Sequence, residues 1–387
     1  MHPTFQRLMR EATKLTSAGN LQAATAAIQR ALGRRATTPI PFPTSTSIPT
    51  PTSPADAARD ALILDGYVVE RDGHVPQPAP QPAPAGPGAF LHGSHSHAGL
   101  VRDYKLYVPP GSSHRPLPLV VMLHGCTQDP DDFAAGTGMN ALAREQGFLV
   151  LYPAQAQAAN PARCWNWFKH NHQGRSGGEA AVIASMAQAV AQERGVDPAR
   201  VYIAGLSAGG AMAALVAAAY PERFAAVGVH SGLAPGAARS LPEGLAAMRG
   251  GASGHTLQGL RVPAIVFHGD RDPTVHPKNG DQVIAAVLAS AAQLEAGSAR
   301  EPVVEEGASL QGQRYTRTVH RGIHGGVYGG VGGSDGKPAL AEHWVLHGAG
   351  HAWSGGQAVG SYTDTQGPDA SREMLRFFFS HVVRATH

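Results

Sequence analysis

Charge is scarce in this chain: Asp, Glu, Lys and Arg make up 15% of 387 residues, and the formal net charge is +3. With no run of Lys and Arg interleaved with aromatic side chains, nothing resembles a track for phosphates, so nucleic acid is not an expected partner. Long apolar runs are also missing. No stretch approaches the roughly 18 consecutive apolar residues of a membrane span. The first residues, MHPTFQRLMREATKLTSAGN, carry charges throughout instead of an apolar core, so they do not read as a Sec signal peptide, and a cytoplasmic location stays open. Cysteine occurs only at Cys126 and Cys164, compatible with one disulfide or two thiols.

Glycine, by contrast, is abundant, with 47 residues, and proline follows with 30. Apolar residues at helical spacing between residues 4 and 33, interrupted at Gly19, predict a helical hairpin within residues 1–35, a candidate for self-association or docking. Pro-rich tracts at 37–54 and 76–87 predict linkers on either side of a short segment, 56–69, that can hold a helix and a strand, so residues 36–88 read as a connector. His92, His95 and His97 form an HxxHxH cluster. Its Gly/Ser surroundings offer no rigid support for a metal, and neither metal nor cofactor is expected.

From residue 89 onward, near-continuous apolar strands alternate with helices, which predicts an α/β class with a mostly parallel sheet covered on both faces. Expected strands are Tyr104 to Val108 at the edge, Leu117 to Leu123, Phe148 to Tyr152, Val201 to Leu206, Ala225 to His230, Ala264 to His268, Tyr315 to Val319 and His343 to Leu346. Expected helices cover Asp131 to Gln146, Glu179 to Arg194, the small-residue run through Ala219, Lys278 to Leu294 and Asp369 to Val383. Gly322 to Gly336 reads as a lengthened hairpin.

The chemistry concentrates at strand ends. Gly205-Leu206-Ser207-Ala208-Gly209 is a GxSxG pattern between a strand and a helix, where small neighbours permit a tight turn that exposes Ser207. A serine hydroxyl needs a base and a group that orients it. Asp272 is the preferred acid, since it lies further beyond its strand than Asp270, which can instead cap the turn. His351, in the glycine-rich loop 348–356, is the preferred base over His347, which sits at the strand end and is expected to face the core. Oxyanion donors are the amides of Ala208 and of Cys126, with Thr127 the alternative to Cys126. Trp165, Trp167 and Trp353 are candidates for an aromatic substrate wall.

With HGC at 124–126, CWNWF at 164–168, GLSAGGAM at 205–212, HGDRDPTV at 268–275 and GAGHAWSGG at 348–356, residues 89 to 385 resemble the esterase PHB depolymerase family, which includes feruloyl and acetylxylan esterases. The resemblance implies an α/β-hydrolase fold over residues 89–387 and a carboxylic ester hydrolase. In that reading Ser207 is nucleophile, Asp272 acid, His351 base and the Cys126 amide an oxyanion donor. It also implies a Cys126–Cys164 disulfide, a polyester substrate such as poly(3-hydroxybutyrate) or its oligomers, and an extracellular or periplasmic site of action. The alternatives are a feruloyl or acetylxylan-type esterase and, in another class, a non-catalytic protein that coats a hydrophobic granule.

Overall fold

The computed structural model describes residues 86–111, 116–253, 257–294, 301–322, 328–329 and 338–383. The expected hairpin at 1–35, the connector 36–88 up to residue 85, and most of the glycine-rich stretch 322–336 lie outside the described residues. In chain order the strands are β1 (Ala89–His97), β2 (Leu100–Val108), β3 (Leu119–Leu123), β4 (Leu149–Pro153), β5 (Val201–Leu206), β6 (Ala226–His230), β7 (Ala264–Gly269), β8 (Val303–Ala308), β9 (Arg314–Arg321), β10 (Tyr328–Gly329), β11 (Ala339–Leu346), β12 (Trp353–Ser354), β13 (Thr363–Asp364) and β14 (Val382–Val383). The helices are α1 (Pro130–Thr137), α2 (Met139–Gln146), α3 (Gly178–Arg194), α4 (Ala208–Ala219), α5 (Leu241–Gly250), α6 (Lys278–Leu294) and α7 (Ala370–Phe378).

Ten strands form one sheet in the order β1-β2-β4-β3-β5-β6-β7-β11-β9-β8. From β4 to β11 neighbouring strands run parallel, while β1, β2, β9 and β8 attach as antiparallel flanks. β3 to β7 are buried at every position, as expected of strands covered on both faces. Alternation then sorts side chains to two cores. Leu119, Val121 and Leu123 of β3 pack with α3, α4 and α6, while Val120 and Met122 point the other way, toward α1, α2 and α7. This layering and strand order are those of the α/β-hydrolase fold, and they bring the ends of β3, β5, β6, β7 and β11 to one edge.

Several expected boundaries move, each for a local reason. The single helix over 131–146 is two, because Gly138 takes φ 64° and ends α1, which Asp129 caps at its start by accepting the Asp132 N–H at 3.0 Å. The edge strand at 104–108 lengthens to β2 and moves inward, because β1 pairs along its full length outside it. His92, His95 and His97 therefore lie on a strand, and His95 Nε2 is 2.9 Å from Ser185 Oγ of α3. Among the described residues no group of three or more His, Cys, Asp or Glu converges as a metal site. The closing helix stops at Phe378, and Val382–Val383 pairs with β10. No described helix is long and apolar enough to cross a membrane.

Candidate active site

The tight turn after β5 dictates its own residues. A Cβ on Gly205 would overlap the backbone of Gly209 and Leu123, and one on Gly209 would overlap Leu123 and His124, so only glycine lets α4 start this close to β3. Ser207 between them takes φ 58° and ψ −120°. A non-glycine residue there stores strain of about 1–3 kcal/mol, sustained because the elements on either side are buried. Its N–H donates to the His230 carbonyl at 2.8 Å, and its own carbonyl accepts from Ala211 N at 2.9 Å.

The two acids and two histidines weighed in the sequence form two separate pairs. Asp272 Oδ2 lies 2.7 Å from His351 Nδ1, while Oδ1 accepts the amides of Thr274 and Val275, each at 2.8 Å. Burial opposes the charge on Asp272, but the His351 hydrogen bond and these amides outweigh it and hold the carboxyl below its usual range. With Nδ1 donating to Asp272, Nε2 is the basic atom of His351. Asp270 pairs instead with His347, at 3.0 Å, and also accepts Gly348 N at 2.7 Å. The expectation that His347 faces the core is corrected: it is half-buried, and its Nε2 lies 2.8 Å from Thr316 Oγ1. This second pair braces the base of the loop that carries His351.

The loop after β3 is tied down at each residue. His124 is buried, with Nδ1 donating to the Gly125 carbonyl at 2.8 Å and Nε2 accepting Gln155 N at 3.2 Å. Burial pushes its pKa down to about 4, so the ring stays neutral and keeps that acceptor. Gly125 N donates to Gln128 Oε1 at 2.9 Å, and Gln128 Nε2 in turn reaches Asp132 and Ser361. The Thr127 amide is engaged by the Ala162 carbonyl at 2.7 Å, which leaves Cys126 as the amide of this loop available to an oxyanion. Cys126 is joined to Cys164 by a disulfide. Ala208 opens α4, so its amide belongs to the unsatisfied first turn of a helix.

The aromatic wall requires correction. Trp165 and Trp353 are at most 1% exposed and Trp167 is 4% exposed, so all three are packing residues. Trp165 lies in the core beside His124. Trp353 stacks on His230 and donates its indole N–H to Ser371 Oγ at 3.1 Å. Composition marked these residues as aromatic faces, but it does not say which way a loop turns them. The residues that the sequence did not signal are the polar ones behind the loop. Fully buried Glu179 accepts from Asn166 N at 2.6 Å, Asn166 Nδ2 at 2.7 Å, Gln155 Nε2 at 2.6 Å and Arg102 at 3.2 Å. A lone Glu in the first turn of an apolar helix was its only trace in the sequence.

The family model described as Esterase PHB depolymerase matches residues 102–307, more than half of the chain. Among curated proteins, poly(3-hydroxyalkanoate) depolymerase C of Paucimonas lemoignei is 34% identical over 204 residues, covering 49% of this chain and 48% of that protein. A probable acetylxylan esterase A of Neosartorya fischeri is 29% identical over 195 residues, covering 45% and 51%. The chain thus spans about half the length of these curated relatives. An acetyl xylan esterase structure from Aspergillus awamori aligns with 65% of this chain and 89% of its own, at a TM-score of 0.49 and 23% identity.

Proposed function

Because the chain belongs to the esterase PHB depolymerase family, we propose that it hydrolyses carboxylic esters through an acyl-enzyme at Ser207. The hydroxyl of Ser207 attacks the ester carbonyl as His351 Nε2 takes its proton, and the oxyanion is received by the amides of Cys126 and Ala208. His351 then passes the proton to the departing alcohol, Asp272 steadying the imidazolium. Water activated by His351 releases the acid. The observation that carries this reading is the 2.7 Å bond between His351 and a buried Asp272 at the strand edge where Ser207 occupies a strained turn.

The substrate reading is a polyester of short hydroxy acids, poly(3-hydroxybutyrate) or its oligomers. Two observations support it. The 34%-identical relative is a polyhydroxyalkanoate depolymerase, and Val359 and Tyr362, 79% and 47% exposed, lie on the loop after His351, the Tyr362 hydroxyl 3.2 Å from Thr127 Oγ1 beside the oxyanion loop. The acetylxylan esterase relative supports the alternative of a sugar ester, with feruloyl esters as its phenolic counterpart. The Cys126–Cys164 disulfide supports an oxidising compartment outside the cytoplasm.

A fluorophosphonate probe with mass mapping tests the nucleophile: modification is expected at Ser207, and Ser207→Ala is expected to lower turnover of a soluble short-chain ester by about 10⁴-fold or more. Activity that survives the substitution removes the assignment. Hydroxybutyrate oligomers, feruloyl esters and acetylated xylan assayed side by side test the substrate. Turnover confined to the last two overturns the polyester reading, and no turnover of any ester leaves the non-catalytic granule-coating role.

A further inference from the structure

His230, the last residue of β6, is fully buried and takes no part in the chemistry above, yet it touches both halves of it. Its carbonyl accepts the Ser207 amide at 2.8 Å, the bond that anchors the strained turn from outside its own strand and helix. Its side chain reaches the other way. Nε2 accepts the Ser354 amide at 3.0 Å, three residues beyond His351, and Nδ1 faces Ser231 Oγ at 3.2 Å. Accepting at Nε2 fixes the neutral tautomer, so Nδ1–H is the donor to Ser231. The ring is stacked between Trp353 and Phe267, with centroids at 5.1 Å and 5.7 Å, and cannot turn without displacing one of them.

We infer that His230 is a positioning residue that sets the separation and orientation of Ser207 and His351 by holding the nucleophile's turn with its backbone and the base's loop with its imidazole. The inference rests on the Ser207 and His351 assignments. The choice of histidine follows from the site. The slot must present an acceptor to a buried amide at one end and a donor to a hydroxyl at the other, within a flat shape that fits between two aromatic rings. A phenyl ring fits the slot but leaves the buried Ser354 amide without an acceptor. Glutamine restores an acceptor close to the Nε2 position without the ring. If the role were packing alone, phenylalanine would be the better replacement; if it is positioning through the hydrogen bond, glutamine would be.

The test is steady-state kinetics of full-length His230→Phe and His230→Gln on p-nitrophenyl butyrate, with circular dichroism at the assay temperature. We expect H230F to lose kcat by about 10- to 100-fold with KM within about threefold, because misalignment of nucleophile and base is felt in the chemical step. H230Q is expected to recover kcat to within about fivefold of the wild type. If H230F retains kcat within twofold of the wild type, or if the two variants lose it equally, the inference is overturned. Should neither variant fold, Ser231→Ala carries the test, since it leaves the imidazole and its Ser354 bond in place but removes the acceptor of the Nδ1–H, which helps to hold the ring's orientation. There kcat is expected to fall about three- to tenfold, and an unchanged kcat overturns the inference. Ser207→Ala run in parallel separates the premises: if it retains wild-type kcat, the nucleophile assignment fails rather than the role of His230.

Discussion

Two aspartates stand two positions apart after β7, and their surroundings give them different work. Asp272 is 7% exposed, with one oxygen committed to two backbone amides and the other to His351, so its carboxylate is held in one orientation toward that ring. Asp270 is half-exposed and closes a turn through Gly348 and His347. Asp272→Asn keeps the shape but presents an amide that favours the wrong imidazole tautomer, and kcat on a soluble ester is expected to fall by about 10³–10⁴-fold. Asp270→Asn is expected to change it by less than about threefold. A larger loss in Asp270→Asn than in Asp272→Asn would reverse the assignment. Which of the two reaches His351 was legible from their distance past the strand end, because a turn folds its first residue back on the sheet and carries the next ones toward the loops of neighbouring strands. The tryptophans were not legible in the same way. An indole beside a cysteine can face substrate or core, and which one depends on the path of the loop, here fixed by Glu179 beneath it and by the Cys126–Cys164 link.

That loop, between β4 and α3, shows what a single element contributes. It has almost no regular structure, with one short 3-10 turn at His170–His172. The disulfide joins residues 38 apart, and closing a loop of that length restricts the unfolded chain by an entropy worth about 4 kcal/mol at 25 °C. Replacing both cysteines by serine is therefore expected to lower Tm by roughly 5–10 °C in calorimetry. It is also expected to lower kcat more than it raises KM, because residue 126 sits on the loop proposed to receive the oxyanion. An unchanged kcat would mean that His124, Gln128 and Gln155 hold the loop unaided. Elements elsewhere were read from sequence in proportion to their burial. β3 to β7 are unbroken apolar runs, and each was recognised to within about two residues at either end. β1 and β8 were missed, because AFLHGSHSH and VVEEGA expose most of their side chains and carry no burial signal. α5, LPEGLAAMRG, was hidden by its glycines, Gly250 at its end and Gly244 inside it, the latter packing closely on Phe168 and Trp167.

Across the whole molecule, the buried imidazoles set how the fold responds to acid. Burial pushes His124 and His343 down to about 4 and His230 to about 3, from an ordinary value of 6.5. Above pH 6.5 these rings are neutral in both the folded and the unfolded chain, and their environments favour the fold fully. Between 6.5 and the folded values the unfolded chain takes up protons that the folded chain refuses, so stability falls as pH falls. For His124 the gap between 6.5 and about 4 corresponds to about 3 kcal/mol when the loss is complete. The depressed carboxyls of Asp132, Asp270, Asp272 and Glu342 act in the same direction at lower pH, because their stabilisation is present above the ordinary carboxylate range and is lost as pH falls through their folded values. No single network therefore sets the acid limit: His124 lies in the loop after β3, His230 between the Ser207 turn and the loop that carries His351, and His343 on β11. Calorimetry is expected to give a Tm at pH 5 roughly 5–10 °C below that at pH 7.5, with a steep decline between pH 6 and 4. A Tm that is flat from pH 7.5 to 5 would contradict this account. His230→Gln removes one of the refused protons, so its Tm is expected to fall less steeply over the same interval than that of the wild type. A parallel decline in the two proteins would show that His230 is not among the groups that make the fold sensitive to acid.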